Sequence, residues 1–388
     1  MSALKILGVV ALLFVFTLEG RTGFSNPKIE NSFLINNVTL FDGDEVTENT
    51  SVLVEDGKIA RIQENIEGDH VTVNGTGKFL MPAMTNSHVH VWDERQLREA
   101  ARAGVLNMLD MLSFDLYGLK NLNDLPGYAR FYTSGYAATV KDGHGTQFSP
   151  DYAPAPTIDS VGDIEPFVRN RIAGGADYIK IIVEPWRNTL PHEWVKAIID
   201  AAHENDRKAL VHVSWYDDAR TVIENDADGL MHLWNDKAPA SELKTLQANH
   251  DFFVVPTLSV WIASRWQIEK HGRQKYAEKH FIEELKKVYD AGITILAGTD
   301  PPNNEINYGT DLHNEMLYFA EAGMPNIDVL KSATSNPATA FDVLADSGYI
   351  KVGRDADMIL LDGSPIEDME NIKSIATVWK MGIEVKLR

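Results

Sequence analysis

Apolar runs of strand length recur through the middle of the chain, at 79–90, 105–112, 130–140, 178–183, 209–214, 229–234, 252–259 and 294–300. Between most of them lie stretches with helical spacing of apolar positions, at 94–103, 192–205, 217–225, 241–249 and 266–291. Strands that read as nearly continuous apolar runs are buried on both faces, and their alternation with helices points to parallel pairing. Eight such units predict an α/β fold of the (β/α)8 TIM barrel type. An open doubly wound sheet would carry a glycine-rich phosphate loop after its first strand; His88-Val89-His90 stands there instead.

The two ends of the chain have a different texture. From 32 to 82 the pattern is of short strands, and Asp56-Gly57 between 51–54 and 58–62 is a tight hairpin signal. The segment from 347 onward reads the same way, with strands at 358–361 and 374–379. Neither block has enough strands for a core of its own, so the two together are predicted to form a small β-sandwich. The expected organisation is a β-sandwich domain from 27–82 plus 347–388 and a barrel over 83–346. Residues 142–165, rich in Gly, Pro, Asp and Ser, read as a long loop after the third strand, on the face where barrels carry their sites.

Lys5 followed by the apolar run 6–18 and then Glu19-Gly20-Arg21 has the layout of a secretory signal peptide, and thirteen apolar residues are too few to span a bilayer comfortably. Residues 1–26 are therefore expected to be a signal, implying a periplasmic or secreted protein; left uncleaved, the segment would associate the N-terminus with a membrane. The net charge of −20 argues against nucleic acid as a partner. The expected partner is a small-molecule substrate, and a homo-oligomer is compatible with the sequence. With no cysteine, disulfides, thiolate ligands and a cysteine nucleophile are excluded, so a metal site would use histidine, carboxylates or a modified lysine.

Several of the twelve histidines fall at the C-terminal ends of the predicted strands, the catalytic end of a barrel. His88 and His90 are two apart at the end of the first strand and so point to one side, able to reach one ion. Lys180 sits inside the apolar fourth strand, where a charge is costly unless paired or lost. A neutral amine there can add carbon dioxide and become a carbamate with two oxygens, although taken alone Lys180 reads more simply as a lysine reaching the rim. His212 and His232 end the fifth and sixth strands. A lone strand histidine is ordinarily a core residue; two at matching positions on consecutive strands read as ligands. Asp300 ends the eighth strand at the same face, where a helix cap or turn residue is the plainer reading. His144, in the Gly-His-Gly of the third loop, is the candidate for holding the substrate or its oxyanion. Thr257, after the seventh strand, is a candidate for lining the pocket or for packing. His313, following the eighth strand with Tyr308 and Glu315, is a candidate for the mouth or for a solvated helix start. Trp186, Trp215, Trp234 and Trp261 lie near strand ends, as aromatic walls or as helix–barrel packing.

Together these residues, with Phe79-Leu-Met-Pro-Ala-Met-Thr-Asn-Ser-His-Val-His, Asp142-Gly-His-Gly-Thr, Tyr178-Ile-Lys-Ile, Gly298-Thr-Asp, Ser335-Asn-Pro-Ala and Val352-Gly-Arg-Asp-Ala-Asp-Met-Ile-Leu-Leu-Asp, make the chain resemble the amidohydrolase superfamily from about residue 33 to the end. The resemblance is to the branch of imidazolonepropionase and the metal-dependent Xaa-Pro and Xaa-Arg dipeptidases. It implies two divalent metal ions, with zinc expected although nitrogen and oxygen ligands also accept manganese, cobalt and iron. It assigns His88, His90 and Asp300 to one ion, His212 and His232 to the other, and a carboxylated Lys180 with a hydroxide as bridges. The implied reaction is hydrolysis of an amide-type C–N bond (peptide, N-acyl or cyclic amide) by that hydroxide, with Asp300 as proton shuttle. Two departures matter. Val183-Glu-Pro-Trp-Arg replaces the Gly-rich segment usual after the lysine in the dipeptidases, which puts dipeptidase specificity in doubt. His212 is followed by Val213-Ser214-Trp215, without the nearby glutamate a deaminase would carry. A lactone, ester or carbamate hydrolase with the same site, and a mononuclear deaminase, are the alternatives.

Overall fold

Two architectures meet at Ala83. The computed structural model describes residues 31–114, 116–149, 154–263 and 278–387. The expected signal peptide and the first part of the helix expected over 266–291 lie outside the described residues. Among the described residues, no helix is long and apolar enough to cross a membrane.

Before Ala83 run β1 (Phe33–Phe41), β2 (Val46–Glu55), β3 (Lys58–Gln63), β4 (Thr72–Asn74) and β5 (Phe79–Pro82). The hairpin expected at Asp56-Gly57 is there. Glu55 pairs with Lys58, and Asp56 (φ 49°) and Gly57 (φ 80°) both take the left-handed backbone that a two-residue hairpin turn needs. The strand expected at 79–90 is two strands in different sheets. β5 pairs antiparallel with β14 (Met358–Leu361), aligning Leu80 with Leu360, and parallel with β1, so it stitches the two chain ends together. With β15 (Ile375–Lys380) and β16 (Ile383–Glu384) the order is β16-β15-β14-β5-β1-β2-β3, with β4 on β1. The terminal blocks thus join edge to edge into one mixed eight-stranded sheet, not two facing hydrogen-bonded sheets as expected of a sandwich. Phe33 stacks on Trp379 at 5.1 Å within its apolar core.

After Ala83 come β6 (Met84–Val89), β7 (Val105–Asp110), β8 (Arg130–Thr133), β9 (Ile179–Ile182), β10 (Ala209–His212), β11 (Gly229–Met231), β12 (Phe253–Val255) and β13 (Thr294–Ile295), in the order of the eight expected strands but shorter. They pair in parallel as β6-β7-β8 and β9-β10-β11-β12-β13. A bridge between Ala138 and Ile181 links the two sheets at one seam. At the other, Ser87 N donates to Ala297 O (2.8 Å) and Asp300 N to His88 O (2.8 Å). The arrangement is TIM-barrel-like, but the ladder is not one unbroken closed ring: Gly298, the left-handed Asp300, Pro301 and Pro302 follow the short last strand at the second seam. The seventh expected strand also stops early, because the chain turns helical at 258.

Helices cover this sheet system: α1 (Glu94–Arg102), α2 (Ile164–Gly174), α3 (His192–His203), α4 (Tyr216–Glu224), α5 (Ala240–Asn249), α6 (Glu278–Asp290), α7 (Thr310–Glu321), α8 (Asn326–Ala333) and α9 (Ser335–Ala340). Strand alternation decides what faces them. On β9 and its continuation, Ile179, Ile181 and Val183 pack in the large core with the helices, while Tyr178 joins the inner apolar cluster and Lys180 and Ile182 line a cavity. On β10 and its continuation, Ala209, Val211 and Val213 face the helices; Leu210, His212 and Ser214 do not. The period of two that made these runs legible as strands thereby aims one lysine and one histidine inward.

Candidate metal centre

One cavity of about 530 Å³ opens at the C-terminal ends of the strands, and His88, His90, His144, Lys180, His212, His232 and Asp300 all line it. The first and last strands meet at its floor. Asn86 Nδ2 donates to Thr299 Oγ1 (2.7 Å), and Thr299 N donates to Asn86 Oδ1 (3.2 Å). Gly298 permits this approach: a Cβ there would lie 2.8 Å from His88 N and 2.5 Å from a Val255 methyl. Three residues at the cavity end of their strands, His232 (φ 80°), Thr257 (φ 50°) and Asp300 (φ 62°), have left-handed backbone. For non-glycine residues this conformation is unfavourable, and it gathers where function requires it. At His232 it breaks the alternation, so that Met231 joins the inner cluster while the next residue lines the cavity.

Asp300 Oδ1 lies 2.9 Å from His90 Nε2 and 3.4 Å from His88 Nε2, and Asp300 accepts from Asn303 Nδ2 (2.9 Å). Ring centroids run in a chain, His88 to His232 at 4.7 Å, His232 to His212 at 4.6 Å and His212 to His144 at 5.1 Å. Donor atoms of His88, His232 and Asp300 lie within 4.8 Å of one another. The resemblance groups His232 with His212; here His232 stands between the two groups and reaches both.

Each of three rings has one nitrogen held. His90 Nδ1 meets Leu112 O (2.8 Å), His232 Nδ1 meets Thr257 Oγ1 (2.6 Å) and His212 Nε2 meets Glu184 Oε2 (2.9 Å). Thr257 is fully buried behind His232, with its hydroxyl engaged there, and is not among the cavity-lining residues; the expectation that it lines the pocket and binds substrate is corrected to a place supporting the ring. His144 is half-buried. Gly145 N donates to Gln147 Oε1 (2.9 Å), which turns Gln147 Nε2 toward His144 Nδ1 (3.3 Å) and leaves Nε2 of that ring as the N–H. Trp186, Trp215 and Trp261 line the cavity, whereas Trp234 is core, its Nε1 donating to Glu284 (2.8 Å). His313 lies outside this cavity, buried with Nε2 3.0 Å from Ala103 O.

Burial sets the protonation states. It pushes His88 and His232 well below the ordinary histidine value, helped by Lys180 at His88 and by His212 at His232. It takes His144 down to about 3 and Lys180 down to about 7. At His90 burial is outweighed by the Asp300 carboxylate, which raises the ring. Burial alone would raise Glu184, but hydrogen bonds from His212 and Ser214 bring it below the usual carboxylate range. Lys180 is only 3% exposed, and its Nζ has no hydrogen-bond partner among the described residues; the same holds for His88 Nδ1. Imidazoles, a carboxylate and an unpaired buried amine around one cavity fit divalent ions with nitrogen and oxygen ligands.

Glu184 was not singled out in the sequence, although a signal was present. It lies four residues beyond Lys180 and two beyond Ile182, on the inward parity of β9, and it too lines the cavity.

The sequence pattern of the Amidohydrolase family matches residues 79–385. The ochratoxinase of Aspergillus niger is 26% identical over 326 residues, which cover 73% of this chain; the chain spans just under two thirds, 66%, of that enzyme's length. A 5'-deoxyadenosine deaminase of Methanosarcina acetivorans is 22% identical over 365 residues, covering 81% of this chain and 80% of its own. Among solved structures, a putative prolidase from Bifidobacterium longum superposes with a TM-score of 0.77 at 21% identity, covering 92% of this chain and 95% of its own. The A. niger ochratoxinase structure has a TM-score of 0.74 at 22% identity, covering 90% and 94%. At these identities the superpositions speak for a shared TIM-barrel-like fold, and the family pattern spans most of the sequence: the chain belongs to the amidohydrolase family.

Proposed function

We propose that the protein is a metal-dependent hydrolase that cleaves an amide-type C–N bond of a small molecule: a peptide, an N-acyl compound or a cyclic amide. The observation that carries this reading is Lys180, a buried amine without a hydrogen-bond partner among the described residues, lining one cavity with five histidines and Asp300. Two divalent ions, zinc by our assignment, would be held by His88, His90, His212, His232, Asp300 and a carboxylated Lys180; bound there, they would supply Lewis acidity and lower the pKa of water. The remaining chemistry belongs to the chain. The Lys180 amine, brought by burial to about 7, is the form that adds carbon dioxide, giving a carbamate and releasing one proton. Asp300 takes the proton of the attacking water and returns it to the leaving nitrogen. His144, neutral and with its N–H on Nε2, donates to the substrate carbonyl oxygen as negative charge develops. Trp186, Trp215 and Trp261 offer apolar faces to the rest of the substrate.

Names among the relatives support hydrolysis and deamination alike: prolidase, Xaa-Pro dipeptidase, molinate hydrolase and phenylurea hydrolase B stand beside the deaminases. The inward-facing lysine favours hydrolysis. An export signal over 1–26, a periplasmic or secreted location and a domain division at 82/83 and 346/347 belong to the same proposal and rest on the sequence.

The test is metal analysis of the purified protein together with a hydrolysis screen over dipeptides, N-acyl amino acids, lactones and carbamates. Two ions per chain, a carbamate on Lys180 and chelator-sensitive amide cleavage are expected. One ion bound without the lysine, with ammonia released from an aminopurine, would replace this reading by the deaminase.

A further inference from the structure

The Val183-Glu-Pro-Trp-Arg segment after β9 sets this chain apart from the Gly-rich segment of the dipeptidase pattern, and its glutamate is built in, not incidental. Glu184 is 3% exposed. Its backbone N donates to Thr189 Oγ1 (2.9 Å), and its carbonyl accepts from Arg187 N (3.1 Å), so both sides of the residue are tied into the loop. Its Oε2 faces His212 Nε2 at 2.9 Å and accepts from Ser214 Oγ. His212, the last residue of β10, and Ser214 just beyond it both line the cavity, so a single carboxylate oxygen spans both inward positions.

A carboxylate can only accept, so the hydrogen on His212 must sit on Nε2 and the lone pair on Nδ1. His232 is held the other way round, through Nδ1 on Thr257, which leaves Nε2. His90 likewise gives Nδ1 to Leu112 O. His90 meets a carboxylate too, Asp300 at its Nε2, but that group belongs to the proposed ligand set; Glu184 is a carboxylate outside that set that holds His212. A carboxylate behind a metal-binding imidazole fixes its tautomer and ring orientation and raises its basicity.

We propose that Glu184 is the positioning residue of the His212 side of the centre, holding the ring with Nε2 protonated so that Nδ1 is the nitrogen offered to metal. The inference rests on the metal-centre reading above and adds a role that the His212 segment does not reveal by itself. Glu184 acts through His212.

The test is a chelator-competition titration of the metal-free full-length protein with Zn²⁺, using wild type, Glu184→Ala, Glu184→Gln, His212→Ala and the double variant Glu184→Ala/His212→Ala. Removing the carboxylate is expected to weaken one of the two Zn²⁺ affinities by roughly 10- to 100-fold and to leave the other in place. Glu184→Gln should fall between, because its amide oxygen still accepts from Nε2 without the charge. In the His212→Ala background, Glu184→Ala should cost nothing further, since the interaction it removes is already gone. Unchanged affinities in Glu184→Ala, or losses that add in the double variant, overturn the proposal. If Glu184→Ala fails to fold, the same cycle is run with Glu184→Gln. Wild type that binds no Zn²⁺ overturns the metal-centre reading and this inference together, whereas two ions bound equally well without Glu184 overturn this inference alone.

Discussion

Replacing Lys180 by Met should make the metal-free protein more stable and the enzyme inactive. Met keeps most of the unbranched stem and removes the amine. That amine is buried, has no hydrogen-bond partner among the described residues, and is brought down to about 7 by burial, against which Asp300 and Asp110 pull upward. In the unfolded chain a lysine titrates at roughly 10.4. Below pH 7 both states carry the proton, so the folded state bears the whole cost of the buried charge, about 5 kcal/mol at this separation. Between pH 7 and 10 the unfolded state binds the proton and the folded state does not, so wild-type stability rises with pH through that window and the cost disappears above it. The assay is urea unfolding followed by far-ultraviolet circular dichroism, on protein stripped of metal and kept free of carbon dioxide, at pH 6, 8 and 10. Lys180→Met is expected to lead wild type by several kcal/mol at pH 6, less at pH 8, and by little at pH 10. Turnover with metal restored is expected to fall to background. A variant equal to or less stable than wild type at pH 6, or a gap that ignores pH, refutes the reasoning that the amine sits uncompensated in the folded protein.

Lys380 supplies the opposite case: burial, with Arg130 nearby, pushes it too down to about 7, but its Nζ donates to the carbonyls of Asn123, Leu125 and Tyr128. Lys380→Met strands those acceptors and should lower stability by about 3 kcal/mol without changing metal content, read from the same urea curves with metal analysis alongside. Asp300→Asn should cut turnover by at least 100-fold, within the range for loss of a proton-transfer group, and cost far less in bound metal; near-normal turnover would sink the shuttle role. His144→Ala should lower kcat by about 100-fold while leaving metal content unchanged, as for a lost oxyanion donor. A rise in KM alone would make His144 a ground-state binding residue.

Most of the strand order was legible because β9 and β10 bury Ile179, Ile181, Ala209 and Val211 against helices on one face and carry apolar residues on the other, so their runs are almost wholly apolar. The inward candidate residues were legible for the same reason, since Lys180 and His212 are polar interruptions of those runs at one parity. Of α7 only a solvated helix start near His313 was legible, because the helix buries His313 and Glu315 beside Leu312 and Met316, which blurs its apolar stripe. Glu315 is satisfied by Leu258 N, Ser259 N and Ser259 Oγ, partners about 56 positions away that no local pattern contains. The single sheet of the chain ends was misjudged because edge pairing and face packing bury the same alternating residues, and only the backbone partners of β5 distinguish them.

The strand ends were overrun for a reason tied to function. Periodicity carries β11, β12 and β13 on to 234, 259 and 300, yet regular pairing stops at Met231, Val255 and Ile295. Beyond those points His232, Thr257 and Asp300 take left-handed backbone, which no strand pattern anticipates in residues other than glycine. A regular strand would carry every second residue inward and the next one outward. The left-handed residue lets Met231 and His232 face the interior in succession, and puts Thr257 behind the His232 ring. Local preference and final structure disagree most where the candidate site is assembled, as expected if the rest of the fold is what holds those three residues in place.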